Sequence, residues 1–268
     1  INNTITKGLR TLDTVSTTLL HLFFSYLLEM NKAIAFIKDE DQYKAVLQQE
    51  RKLGELGIKR LVLTLKHECL HRVFKNKFDL CGRFYGAWHM NMPSNLRKYI
   101  RINGNETTQL DYSGLHIRML YHEIGEDYKD DPYMIGTKEE RGMYKLVSLI
   151  SINCDAKGAC GAIRQSFEKE GIVYNRNKKK PIKRLVDAFI AYHKLISEKI
   201  FTAQGDRLQN LDSMIMDGIL TTLTKKGIVA LPVHDEIIVE TQHKELAKQV
   251  MTDEYKKIMK FEPIIDEK

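Results

Sequence analysis

With 268 residues, 43% of them hydrophobic and 29% charged, the chain is an ordinary globular protein, long enough to bury a sizeable core. A formal net charge of +7 favours a polyanionic partner, because Lys and Arg that neutralise phosphates release condensed counterions; a Lys-rich composition set by genome bias gives the same sign. The four cysteines (Cys69, Cys81, Cys154, Cys160) form no close pair of the zinc-site type, and the most apolar stretch, residues 19–28, is too short to span a bilayer, so reduced thiols, a cytoplasmic setting and no membrane are expected.

The chain begins at Ile1, which reads as a domain taken from a longer protein. Residues 5 to about 75 carry apolar positions three and four apart, through Leu19–Ile37, Tyr43–Leu56 and Leu61–Phe74, and read as a compact helical subdomain. Its Lys59, Arg60, Lys66, His71, Arg72, Lys75 and Lys77 suit either the backbone of a nucleic acid or a solvated helix face. From Phe78 the character changes. Cys81-Gly82-Arg83-Phe84-Tyr85-Gly86, Asn91-Met92-Pro93 and Arg97-Lys98-Tyr99-Ile100-Arg101 read as a loop-rich, basic and aromatic stretch that can lie against a nucleic acid.

Thr107-Thr108-Gln109-Leu110 predicts a short strand, and Leu115 to Tyr121 carries apolar residues at helical spacing, so Asp111 falls where strand turns into helix. An acidic loop, residues 126–132, then breaks the chain. Thr137 and Glu140 have the spacing of a capping box, which predicts a helix from there to about Asn153. Arg141, Lys145 and Leu149 are successive i, i+4 neighbours on it, so two cations and an apolar residue share one face. Such a face can grip a triphosphate, Arg as a fork and Lys as a point charge; alone, it reads as a solvated basic stripe.

Residues 175–181 form a basic loop, followed by helices expected at about Ile182–Phe201 and Leu208–Lys225. Next, the apolar run from Gly227 to Val233 meets His234-Asp235-Glu236 and then Ile237-Ile238-Val239, the pattern of a β-hairpin with the polar triplet at its tip. Lys244–Met259 reads as an amphipathic helix covering the sheet. Asp111 and Asp235 thus each stand at a strand end. Two such carboxylates side by side suit Mg²⁺, which takes one or two carboxylates and completes its octahedron with water and phosphate. Taken singly, each is equally a solvated turn.

Set in order, these pieces resemble the family A nucleotide polymerases, the group of bacterial DNA polymerase I and its phage and mitochondrial relatives. The likeness is at the level of motifs over roughly residues 80–242. Asp111-Tyr112-Ser113 followed by Arg118 looks like the family's first catalytic motif, D-Y-S-x-x-E-x-R. Arg141, Lys145 and Leu149 look like the R-x-x-x-K-x-x-x-F nucleotide-binding face, His234-Asp235-Glu236 like the H-D-E tip, and Arg83 like the G-R segment that touches the primer end. The sequence departs from the pattern at His116, where the family has the Glu that selects deoxynucleotides, at Leu149, where it has an aromatic, and at Asn153, where it has Tyr.

The resemblance implies an α+β fold: an antiparallel palm sheet (78–132 and 205–268), helical fingers (133–204) and a short helical thumb-like subdomain (1–77). It implies a template-directed DNA polymerase of the kind carried by phages or mobile elements, adding deoxynucleotides to a primer 3′-hydroxyl. Primed template DNA and nucleoside triphosphates would be the partners. An RNA polymerase or primase-like enzyme of the same fold, or an inactive nucleic-acid-binding module, is the alternative. Two Mg²⁺ ions, replaceable by Mn²⁺, would be held by Asp111, Asp235 and the Tyr112 carbonyl, with Glu236 and His234 in support. Arg141, Lys145, Leu149 and His116 would bind the nucleotide, and Arg83, Arg118, His234 and Gln209 the nucleic acid, Gln204 competing with Gln209 for a place at the minor groove.

Overall fold

The computed structural model describes residues 70–92, 94–174 and 181–268. The expected helices at Leu19–Ile37 and Tyr43–Leu56, and the basic loop 175–180, lie outside the described residues.

The chain enters as an antiparallel ribbon, β1 (His71–Lys75) and β2 (Lys77–Tyr85), turning at Asn76 with φ 62°. This corrects two expectations over the described residues: 71–75, read as the end of a helix and of the helical stretch 1–77, form a strand, and so do residues 78–85, read as loop-rich; the rest of the helix expected over Leu61–Phe74, residues 61–69, lies outside the described residues. Five residues, His71-Arg72-Val73-Phe74-Lys75, alternate in exposure with the period of a strand, and that short period is hidden inside an apolar spacing that also fits a helix. The ladder slips at Phe74, opposite Cys81 (φ 60°) and Gly82 (φ 96°). A Cβ on Gly82 would stand 2.6 Å from the Phe74 ring and 3.0 Å from Ser213 Oγ, so only glycine lets the ribbon bend there.

After a 3₁₀ turn (Trp88–Asn91) and the single-turn helix α1 (Ser94–Arg97) comes the main sheet. Strands β3 (Arg101–Ile102) and β4 (Asn105–Tyr112) are joined by Asn103-Gly104, both at positive φ, the conformation that Asn-Gly supplies in a two-residue hairpin. Helix α2 (Leu115–Glu123) follows. Strands β5 (Ala230–Val233) and β6 (Glu236–Glu240) form the expected hairpin, and β7 (Ile265–Glu267) returns to β4. All pairings are antiparallel, in the order β3-β4-β6-β5 with β7 on the end of β4. The fold is therefore α+β, as expected.

Ile237, Ile238 and Val239 are fully buried, each contributing about 2 kcal/mol by leaving water. They can be apolar on both faces because helices cover the sheet. Helix α7 (Lys244–Met259), with the bounds expected of it, lies against β4 and β6 through Ala247, Val250, Met251 and Tyr255. Helix α6 (Gly205–Lys225) packs on β5 and β2 as well as on α7.

Between the two halves of the sheet the chain makes a helical layer, α3 (Arg141–Asn153), α4 (Ala159–Lys169) and α5 (Pro181–Tyr192). Val147 and Ile150 of α3 join Ile163 and Phe167 of α4 and Val186 and Phe189 of α5 in one continuous core. The capping box forms as expected: Thr137 N–H donates to Glu140 Oε2 at 3.1 Å, opening a 3₁₀ turn that runs into α3. The expected helix to Phe201 stops at Tyr192 and continues as 3₁₀ (Lys194–Lys199). There His193 is buried, its Nδ1 3.0 Å from the Tyr121 hydroxyl and its Nε2 2.9 Å from the Pro132 carbonyl, so the ring fastens this layer to α2 with one nitrogen and to the acidic loop with the other. Among the described residues, no helix is long and apolar enough to cross a membrane.

Candidate catalytic carboxylate site

The register of the sheet builds the site. Asp111 is paired across β4–β6 with Glu236, and the β5–β6 turn consists of His234 and Asp235, so the hairpin tip sets Asp235 beside the end of β4. The two strand-end carboxylates named from the sequence are thus brought together. Their electrostatics carry the mark of that meeting. Burial, and then the charge of Asp235, raise the Asp111 carboxyl above its ordinary range, opposed by Lys268 and Lys145. Burial likewise raises Asp235, with Asp212 adding to it and Arg83 and His116 opposing.

The backbone adds an acceptor. Gln109 exchanges both main-chain hydrogen bonds with Lys268, and Ser113 N–H donates to the Ile264 carbonyl, so alternate residues of β4 face β7. Tyr112 therefore turns its main-chain groups to the opposite edge, past the last β6 pair at Glu236 and toward the hairpin tip. Its side chain points into the core, where the hydroxyl donates to the Met251 carbonyl at 2.6 Å.

Glu236 is buried between two cations, with Arg97 Nη1 at 3.2 Å from Oε1 and Lys268 Nζ at 3.0 Å from Oε2. Lys268 Nζ also reaches Asp111 Oδ2 at 2.5 Å. Among the described residues, no three His, Cys, Asp or Glu side chains converge as a ready-made metal cluster. Two carboxylates and a main-chain carbonyl nevertheless suit a hard cation that completes its shell with water and phosphate, and the charge of Asp235 felt at Asp111 is what such a cation would relieve.

On the flank nearest β2, Arg83 and His116 are both held by Asp212. Arg83 Nε lies 3.0 Å from each Asp212 oxygen, Arg83 Nη2 makes a short contact to Oδ2, and His116 Nε2 is 2.8 Å from the same atom. Asp212 is 3% exposed, so this is a buried ion pair. His234, at φ 60°, sets its ring 5.6 Å from that of Tyr85, and burial lowers its pKa. Gln209 is half-buried on α6, whereas Gln204 is turned onto Thr202, its Nε2 3.0 Å from Oγ1.

On α3 the three-residue face is real. Lys145 is exposed and near enough to Asp111 to lower its pKa; Leu149 is 57% exposed. Arg141 is steadied by Asp131, Nε to Oδ2 at 2.5 Å, and lies over the Tyr133 ring.

Arg118 is placed inside the protein. It was expected to touch nucleic acid, yet it is 3% exposed and donates through Nε to the Ser113 carbonyl at 2.8 Å, through Nη2 to Asp130 at 2.9 Å and through Nη1 to Tyr128. It clamps the acidic loop onto the start of α2, giving donors to the Ser113 carbonyl ahead of the helix and to the Tyr128 and Asp130 carbonyls of the loop. Sequence reasoning also missed Asp212, Arg97 and Lys268. Asp212 had a signal: it falls on the apolar stripe Leu208, Ile215, Ile219 of α6, where a carboxylate demands a partner. Lys268 had none, as β7 is three residues long.

No protein-family model and no curated protein matches the sequence. Among solved structures the chain is similar to the POL domain of Pol1 from M. smegmatis in complex with DNA primer-template and dNTP, at 15% identity and a TM-score of 0.37, over 69% of this chain and 45% of that one. The chain thus spans less than half of that protein's length. A likeness this distant carries no argument about activity, which rests on the site itself.

Proposed function

We propose that this chain is the catalytic core of a template-directed nucleotidyltransferase that adds deoxynucleotides to a primer 3′-hydroxyl. The observation that carries the reading is the meeting of Asp111 and Asp235 at adjacent strand ends, with the Lys145 cation acting on Asp111 from α3. In this reading the sheet is the palm, with the ribbon as part of it, and α3–α5 are the fingers.

Asp111, Asp235 and the Tyr112 carbonyl would hold two Mg²⁺ ions. When bound, such a pair supplies a lowered pKa for the attacking hydroxyl and charge neutralisation on the triphosphate. The chain's own groups do the rest. Lys145 and Arg141, the latter already held by Asp131, draw the triphosphate to the α3 face and stabilise charge on the departing pyrophosphate. Exposed Leu149 offers an apolar surface for the base. His116, immobilised by Asp212, presents its ring edge to the nucleotide sugar. Arg83 and His234 lie along the primer side, and Gln209 on α6 faces the duplex. Glu236, held by Arg97, keeps the end of β6 in register with Asp111. The primer 3′-hydroxyl gives its proton to solvent, its oxygen attacks the α-phosphorus, the bond to the bridging oxygen breaks, and pyrophosphate leaves.

Primer extension with dNTPs or rNTPs, in Mg²⁺ or Mn²⁺, tests this. The expected result is dNTP incorporation that Asp235→Ala lowers at least about 10³-fold while DNA binding persists. Efficient rNTP use would assign the chain to RNA synthesis; no extension under any condition, with DNA still bound, would reduce it to a binding module.

A further inference from the structure

The side chain of Lys268 has no part in the reaction just described, yet it sits between two carboxylates of the site. Its place follows from the sheet. Lys268 stands opposite Gln109, exchanging hydrogen bonds of 3.0 and 3.3 Å with it, and Asp111 is two residues further along β4 on the same face. Glu236 is the cross-strand partner of Asp111 on β6. Strands β4 and β6 and the residue that follows β7 therefore direct Asp111, Glu236 and Lys268 to one side of the sheet, where cross-strand and diagonal neighbours touch. The ammonium bridges the two carboxylates, 2.5 Å from Asp111 Oδ2 and 3.0 Å from Glu236 Oε2.

We propose that Lys268 is a tethered counter-cation, which neutralises Asp111 when no divalent ion is bound and which a divalent ion must displace to reach the same carboxylate oxygen. This rests on the reading of Asp111 and Asp235 as cation ligands. The two ends of the bridge are unequal. Glu236 keeps Arg97 when Lys268 leaves, whereas Asp111 then has Lys145 only at longer range. The lysine can leave cheaply, because its side chain is 51% exposed and can withdraw its charge into water. Its presence makes Asp111 a guarded ligand: metal affinity is set by a competition within the chain, and β7 is the element that sets it. A purely structural role, pinning β7 to β4, would leave metal affinity untouched.

The measurement is Mn²⁺ affinity, followed by loss of the free-ion electron paramagnetic resonance signal, for the unaltered chain and for Lys268→Met, Lys268→Arg and Asp111→Asn. An ammonium roughly 5 Å from a divalent ion weakens binding about tenfold even at high effective dielectric. Lys268→Met should accordingly bind Mn²⁺ about tenfold tighter, and Lys268→Arg, which keeps the charge, should stay near the unaltered chain. Equal or weaker binding by Lys268→Met, with binding still lost in Asp111→Asn, overturns the counter-cation and leaves the metal site standing. No Mn²⁺ binding by any of the four overturns both.

Discussion

Replacing Asp212 by Ala removes one carboxylate and strands two partners. Arg83 and His116 have side chains only 15% and 14% exposed, and both meet Asp212, whose side chain is 1% exposed. Breaking a buried pair by deleting one member costs about 3–5 kcal/mol, because the remaining charge stays desolvated. With a urea dependence of about 2 kcal/mol per molar, the midpoint of unfolding should fall by roughly 2 M at unchanged slope. The double variant Asp212→Ala with Arg83→Met should recover part of that loss, since it removes the stranded guanidinium; a coupling above about 2 kcal/mol is expected. Equilibrium urea unfolding of the four members of this cycle is the assay. A single-variant loss under about 1 kcal/mol, or strict additivity in the double variant, would refute the claim that this buried pair anchors the β2 flank of the site.

Three other outcomes follow from the same geometry. The Asp235 carboxyl, raised by burial and by Asp212, holds its proton more tightly folded than unfolded, so its ionisation destabilises the metal-free fold as pH rises past the ordinary carboxylate range. Asp235→Asn should therefore raise the melting temperature at pH 7 without metal, and the gain should vanish below about pH 4, where the carboxyl is protonated in both states. Gly82→Ala, at φ 96° with 2.6 Å to the Phe74 ring, should cost about 2–4 kcal/mol in urea unfolding. Arg118→Met should cost about 3 kcal/mol by orphaning three carbonyls, and hydrogen exchange should speed up through residues 126–132.

Much of the site was legible because short-range patterns determine it. The polar triplet between two apolar runs, from Leu231 to Val239, marked a hairpin whose register needs no distant information, and Thr137 with Glu140 marked the start of the helix that carries Arg141, Lys145 and Leu149. What escaped the reading depends on partners far along the chain. The strand His71–Lys75 exists because β2 pairs with it and α6 covers the ribbon, with Arg72 Nη2 donating to Ser213 at 2.7 Å; alone, its residues fit the end of a helix. Arg118 stands at the spacing of a catalytic motif, but loop carbonyls ten and twelve residues away claim its guanidinium. Lys268 meets Asp111 across 157 residues of chain, through a strand too short to recognise in advance.

The two central acids are mounted differently. Asp111 belongs to a strand gripped on both edges, by β6 and by β7, while Asp235 rides a two-residue bend with a left-handed neighbour. Any adjustment to an arriving charge must fall on the bend, so the first acid acts as a fixed datum and the second as the adjustable jaw that closes on it.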